Sequence, residues 1–161
     1  MNKKQYLKSL EEIGWFDYPQ NDRDQIINKI NKSENNYHLD LHHFSFFIDD
    51  FRSIEDYKSF MKELKEIGGI AFQSAEIRTN EDENSISLKV HMGKKEFEMN
   101  FDLDEFTIIP QIEENFNDLF ANFEIDSRLF WLPLESEIFF YALIPFELYK
   151  KATIKDMIPM E

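Results

Sequence analysis

The residues whose types and spacing could support chemistry lie in the segment 38–43, which reads HLDLHH. On a β-strand alternate residues point to the same side, so His38, Asp40 and His42 would share one face. Imidazole and carboxylate groups are ligands that zinc and non-haem iron accept. One hypothesis is therefore a small metal-binding enzyme that uses these three residues.

Two features of the sequence argue against such a metal site. The same strand parity continues into Phe44 and Phe46, so this face would change from polar to apolar within one strand. No second ligand pair, such as the His-Glu-x-x-His helix motif, occurs elsewhere in the chain. We therefore favour ordinary surface or half-buried histidines over metal ligands, and we expect no cofactor.

The sequence contains no recognisable motif for other kinds of catalytic chemistry. The absence of cysteine excludes disulfides, thiolate nucleophiles and Cys-ligated zinc or iron–sulfur clusters. The four glycines form no phosphate-binding loop, and no G-x-S-x-G motif marks a nucleophilic serine. Acidic residues are too numerous for a catalytic carboxylate pair to be recognised among them. We expect that the protein is not an enzyme.

The clearest signal is the uneven distribution of charge. The chain carries 32 acidic residues against 18 lysines and arginines, a net charge of −14. Residues 96–149 contain 13 acidic residues and one basic residue, Arg128. Such a field disfavours direct binding to nucleic acid, whose affinity for proteins comes largely from basic side chains on phosphates.

Acidic residues without basic neighbours at helical spacing are either solvated or presented to a cationic partner. The solvated alternative is an acidic surface that only improves solubility. The functional alternative is a docking face for a basic protein. The residues predicted to form this face are Glu96, Glu98, Asp102, Asp104, Glu105, Glu113, Glu114 and Asp118.

Length and composition predict one folded domain. A chain of 161 residues with 42% hydrophobic residues and 17 phenylalanines can build one packed core. We predict a single domain over residues 1–161, with a short helical N-terminal segment, 1–36, and an α+β body, 37–161. The N-terminus lacks the apolar run of a signal peptide, and prolines and glutamates interrupt the apolar region 129–149. We therefore expect a cytoplasmic protein without membrane contact.

Hydrophobic periodicity predicts the elements that position these residues. Helices are expected over 3–13, from Asp22, over 54–67 behind the capping-box pair Ser53 and Asp56, and after Pro110. Strands are expected over 37–48, 70–78, 86–92, 97–103, 128–134 and 138–144. This order predicts an α+β fold, with a mainly antiparallel sheet and helices packed on one side in two layers.

Two strand details follow from the pattern. A two-residue turn at 93–94 would place Lys89 opposite Glu98 and His91 opposite Glu96. The segment 138–144 is apolar throughout, which is typical of a central strand covered on both faces.

The stretch 113–118 (EENFND) and the closing segment 138–149 carry a resemblance to a known class of proteins. In general style the whole chain resembles the small cytoplasmic immunity proteins of bacterial toxin systems, which are acidic, aromatic-rich single α+β domains. The resemblance implies a cognate toxin, such as a nuclease, as the basic partner, and inhibition by blockade of the toxin's active site. A DNA mimic, whose carboxylates imitate phosphates to occupy a nucleic-acid-binding protein, is the alternative.

Overall fold

The structure is a computed structural model that describes residues 1–79, 84–103 and 107–160. Within these ranges the chain forms five α-helices and six β-strands. The helices are α1 (Lys3–Glu12), α2 (Arg23–Lys32), α3 (Ile54–Glu66), α4 (Ile108–Asn122) and α5 (Phe146–Ile154). The strands are β1 (Phe44–Phe47), β2 (Ser74–Thr79), β3 (Ser85–Met92), β4 (Lys95–Asp102), β5 (Ser127–Leu132) and β6 (Ile138–Pro145). None of the described helices is both long and apolar enough to cross a bilayer.

The starts of α2 and α3 follow the capping residues that the sequence indicates, whereas α4 begins at Ile108, before the predicted start at Pro110. The Asp22 side chain accepts the Gln25 N–H at 2.9 Å and begins α2. At α3, Ser53 and Asp56 each accept the other's backbone N–H, which is the predicted capping box. These short-range predictions are confirmed because each depends on residues within one turn of each other.

The β3–β4 hairpin has the predicted register. Gly93 adopts a positive φ of 63° in the two-residue turn, a conformation that glycine accepts without steric cost. Lys89 pairs with Glu98 and His91 pairs with Glu96 across the hairpin. Period-2 alternation therefore identified both strands and the face that each buries.

The strands form two antiparallel sheets of three strands each, and the predicted α+β class is confirmed. We call β2-β3-β4 the hairpin sheet and β1-β6-β5 the central sheet. As predicted, β6 is the middle strand of its sheet and is covered on both faces. The expectation of one sheet is corrected because α4 separates β4 from β5 and replaces a continuous backbone ladder.

Two apolar cores lie on opposite faces of the central sheet. One core is enclosed by the central sheet, the hairpin sheet, α3 and α4, and it contains Phe60, Phe101 and Phe116. The second core packs α1, α2 and α5 against the other face. The expectation of helices on one side of the sheet is therefore corrected, since the apolar faces of both helix groups need the same sheet for burial.

Two further expectations differ from the structure. The strand predicted over 37–48 is reduced to β1, because residues Tyr37–Leu41 form a 3-10 helix after Asn36, which has a positive φ of 53°. The apolar residues at 37, 39 and 41 imitate strand alternation, but His38 and Leu41 are the residues buried. Helix α5 was not predicted; it follows Pro145 and buries Leu148 and Ala152 one turn apart.

Candidate binding surface around helix α4

Helix α4 lies between the two sheets and hydrogen-bonds to an edge strand on each of its flanks. Toward the hairpin sheet, the Gln111 amide accepts the Asp102 N–H at 2.7 Å and donates to the Asp102 carbonyl at 3.1 Å. One turn later, the Asn115 amide donates to the Asn100 carbonyl at 3.1 Å. These side chains satisfy the outer backbone groups of β4 that a neighbouring strand would otherwise take.

Side chains on the opposite flank of α4 form similar hydrogen bonds to the backbone of β5. The Asn117 amide accepts the Leu129 N–H at 2.7 Å and donates to the Leu129 carbonyl at 2.8 Å. The Glu113 carboxylate accepts the Trp131 N–H at 2.8 Å. Glu113, one of the acidic residues predicted to face a partner, therefore anchors α4 to the central sheet.

Replacing Asn117 by leucine should lower the free energy of unfolding by about 1–3 kcal/mol, because it leaves both backbone groups of Leu129 without a partner in a partly buried site. Urea unfolding followed by circular dichroism measures the change. Asp118→Ala, at the exposed neighbouring position, is the control and should change stability by no more than about 0.5 kcal/mol. Equal effects of the two substitutions would show that the amide bridge does not stabilise the fold.

The solvent side of α4 carries the acidic residues that remain available. Glu114 and Asp118 are exposed one turn apart, and Asp102 is exposed at the adjoining end of β4. The Gln111 side chain of α4 hydrogen-bonds the backbone of Asp102, so Asp102 lies beside α4. We call Asp102, Glu114 and Asp118 the α4 acidic stripe.

The three carboxylates of the stripe have no basic neighbour among the described residues. No lysine, arginine or histidine nitrogen in those ranges lies within 4.0 Å of them. Glu114 and Asp118 therefore repel each other at i,i+4 spacing, at a cost of about 0.2–0.5 kcal/mol. An oppositely charged partner would relieve this repulsion.

The other predicted acidic residues have different surroundings. The Glu96 carboxylate lies 3.2 Å from the Lys89 ammonium and 3.5 Å from the His91 imidazole. The Glu98 carboxylate accepts the Ser87 hydroxyl at 2.9 Å, beside Arg78 and Lys89 on the outer face of the hairpin sheet. This part of the predicted face is therefore mixed in charge. Asp104 and Glu105 lie outside the described residues.

Sequence reasoning did not identify the four side chains of α4 that bond to the neighbouring strands, which are Gln111, Glu113, Asn115 and Asn117. Their only signal is polar residues at 111, 113, 115 and 117 that border the apolar stripe of the helix on both sides. Such a pattern also occurs on any amphipathic helix. Only the position of α4 between two strand edges distinguishes bonded from solvated polar residues.

The histidine segment does not present its side chains as ligands on one strand face. His38 is buried and its Nε2–H donates to the Pro133 carbonyl at 2.8 Å, while the His42 Nδ1–H donates to the Leu39 carbonyl. In the described ranges, no group of three or more histidine, aspartate or glutamate side chains could hold a metal ion. The proposed set His38, Asp40 and His42 is corrected because a 3-10 helix replaces the strand that would have aligned it.

His43 is a structural histidine immediately before β1. Its Nδ1 accepts the Leu143 N–H at 2.9 Å, and its ring also hydrogen-bonds the Gln20 backbone. Burial lowers the pKa of His43 to about 4, and it also lowers the pKa values of His38 and His42. These imidazoles are therefore neutral near pH 7, and the Leu143 bond requires the neutral form of His43.

Comparisons of the chain with protein-family models, with curated proteins and with solved structures gave no match. The α4 acidic stripe and its surroundings are therefore the basis for the function proposed below.

Proposed function

We propose that the protein is an acidic binding protein that neutralises a basic protein partner, in the manner of an immunity protein that blocks a cognate toxin. The observation that carries this proposal is the α4 acidic stripe, which has no basic neighbour in the part of the chain that the structure describes, on a chain with a net charge of −14. Complementary fields of this kind raise association rates well above those of neutral partners.

The rigidity of α4 supports the proposal. The helix is held to both sheets by Gln111, Glu113, Asn115 and Asn117, and its inner face contributes Phe116 and Phe120 to the core. A partner that binds Glu114 and Asp118 would therefore meet a surface that is already ordered. Preorganised surfaces lose less conformational entropy on binding.

The experiment is affinity capture of basic proteins from the native host at low salt, with the wild-type chain and Glu114→Lys/Asp118→Lys as baits. We expect the wild type to retain a basic protein that elutes as salt rises, because screening weakens charge complementarity. The double charge reversal should lose most of that retention while circular dichroism shows a folded domain.

The matched control is Glu34→Lys/Glu135→Lys, which makes the same change in net charge at two exposed positions outside α4 and β4. This control should retain the partner. Equal loss with both double variants would mean that total charge, and not the stripe, governs binding. Competition by duplex DNA for several unrelated captured proteins would instead identify a DNA mimic.

A further inference from the structure

Among the described residues, β2 is a strand edge to which no side chain hydrogen-bonds, whereas each of the other three strand edges is bonded at one or more positions. The β1 edge has its Phe47 N–H bonded by the Asp50 carboxylate at 2.7 Å, and α4 bonds the edges of β4 and β5. Within the described residues, no hydrogen bond reaches the outer edge of β2. An uncovered edge strand is a template for pairing with another strand.

The hairpin register identifies which residues of β2 have outward backbone groups. The two-residue turn makes Met92 and Lys95 a hydrogen-bonded pair, so His91 and alternate residues before it bond toward β2. The Gln73 N–H indeed bonds the His91 carbonyl, at 2.9 Å. In the β2–β3 register this leaves the N–H and C=O of Ala75, Ile77 and Thr79 pointing away from the sheet.

An apolar groove of about 250 Å³ lies beside this edge, between α3 and the start of β2. Met61, Phe72 and Ala75 contribute to its lining. Ala75 lies opposite the buried Val90 in the ladder, yet it is exposed. The core between the two sheets is therefore less fully covered at β2 than at α4.

The side chains of β2 indicate which strand would fit. Glu76 and Arg78 are two residues apart on its outer face, and their charged groups are 3.3 Å apart within one chain. An antiparallel copy of β2 centred on Ile77 would place Glu76 opposite Arg78 of the second copy, and Arg78 opposite Glu76 of that copy. Opposite charges at directly facing positions stabilise strand pairs.

We propose that β2 pairs edge to edge with β2 of a second copy of this chain, on a two-fold axis through Ile77. In this register Ala75 faces Thr79 of the second copy and Ile77 faces its equivalent, so outward N–H and C=O groups meet each other. Glu76 and Arg78 then occupy the non-hydrogen-bonded pairs, where facing residues are closest. The two hairpin sheets become one six-stranded antiparallel sheet, and Thr79 of the second copy lies over the groove at Ala75.

This dimer is independent of the proposed partner-binding function, because β2 and the α4 acidic stripe belong to different edges of the hairpin sheet. The interface is self-complementary, as a two-fold interface requires. Its test is sedimentation equilibrium of the full chain over a range of concentrations. We expect a reversible monomer–dimer equilibrium for the wild type.

Single charge reversals should weaken the dimer by about 10- to 30-fold, because Glu76→Arg or Arg78→Glu places like charges opposite each other twice across the axis. An equimolar mixture of Glu76→Arg and Arg78→Glu should form a heterodimer, because the opposite charges face each other again. Heterodimer formation also shows that both variants fold. Ala75→Pro removes an outward N–H without breaking the β2–β3 ladder and should also weaken the dimer.

A wild type that is monomeric at every concentration would overturn the proposal. A dimer of unchanged strength in Ala75→Pro and Glu76→Arg would also overturn it, because the contact would then use another surface. Failure of the two charge variants to pair in the mixture would exclude the proposed register.

Discussion

Replacing Phe60 by alanine should lower the free energy of unfolding by about 3–5 kcal/mol. Phe60 is fully buried, and its ring packs against four other aromatic rings. The ring centroids at 4.7–5.8 Å belong to Phe116, Phe46, Phe51 and Phe44. Truncation removes these contacts and leaves a cavity between α3, α4 and the central sheet, which explains the size of the effect.

Chemical denaturation at pH 7 measures this change, and Phe47→Ala is the control. Phe47 is the last residue of β1 and is 59% exposed, so its truncation should cost less than about 1 kcal/mol. A small effect at Phe60, equal to that at Phe47, would contradict the packing of α3 described above. Because single domains are stabilised by only about 5–15 kcal/mol, the Phe60 variant should unfold at a much lower denaturant concentration.

Lowering the pH from 7 to 5 should destabilise the protein by about 2 kcal/mol through His43 alone. The pKa of His43 is about 4 in the folded chain, whereas histidine in an unfolded chain titrates near its ordinary value of about 6.5. Between these values the unfolded state binds more protons, so stability falls as the pH falls. The stabilisation by His43 is fully present above the pKa of the unfolded state. It is lost progressively as the pH falls from that value to the pKa of the folded state.

The main cause of the lowered pKa is burial of the imidazole, which disfavours its charged form. Protonation would also break the bond from the Leu143 N–H, because a protonated Nδ1 cannot accept it. Urea unfolding at several pH values measures the effect. In the control, His43→Asn, an amide oxygen can accept the same N–H without titrating, so the loss between pH 7 and pH 5 should shrink by about 2 kcal/mol. The same pH dependence in wild type and variant would show that His43 is not the group responsible.

Much of the local structure was predictable because its causes are local. The capping residues Asp22 and Ser53, the turn at Gly93 and the strict alternation of β3 and β4 act within a few residues of each other. Together with the helical spacing of apolar residues and the apolar run 138–144, these features were sufficient to predict four helices, the hairpin register and the central position of β6. The segment 37–43 misled because apolar residues at alternate positions also fit a 3-10 helix.

The roles of individual acidic residues required the tertiary structure. In the chain, Glu113 and Glu114 are adjacent and chemically identical, yet Glu113 binds the Trp131 N–H and Glu114 faces solvent. Glu96 gains its cation from Lys89, a residue on the neighbouring strand. Charge counted along the chain therefore overstated the width of the acidic face.

Composition and periodicity were enough to establish an acidic α+β protein, because burial patterns and capping repeat over short distances that any window of residues reveals. The division into two sheets, the edge-sealing role of α4 and the uncovered edge of β2 depended on which strands meet across the core. Those contacts join residues far apart in the chain, and only the folded arrangement decides which polar groups are satisfied internally and which are left for a partner.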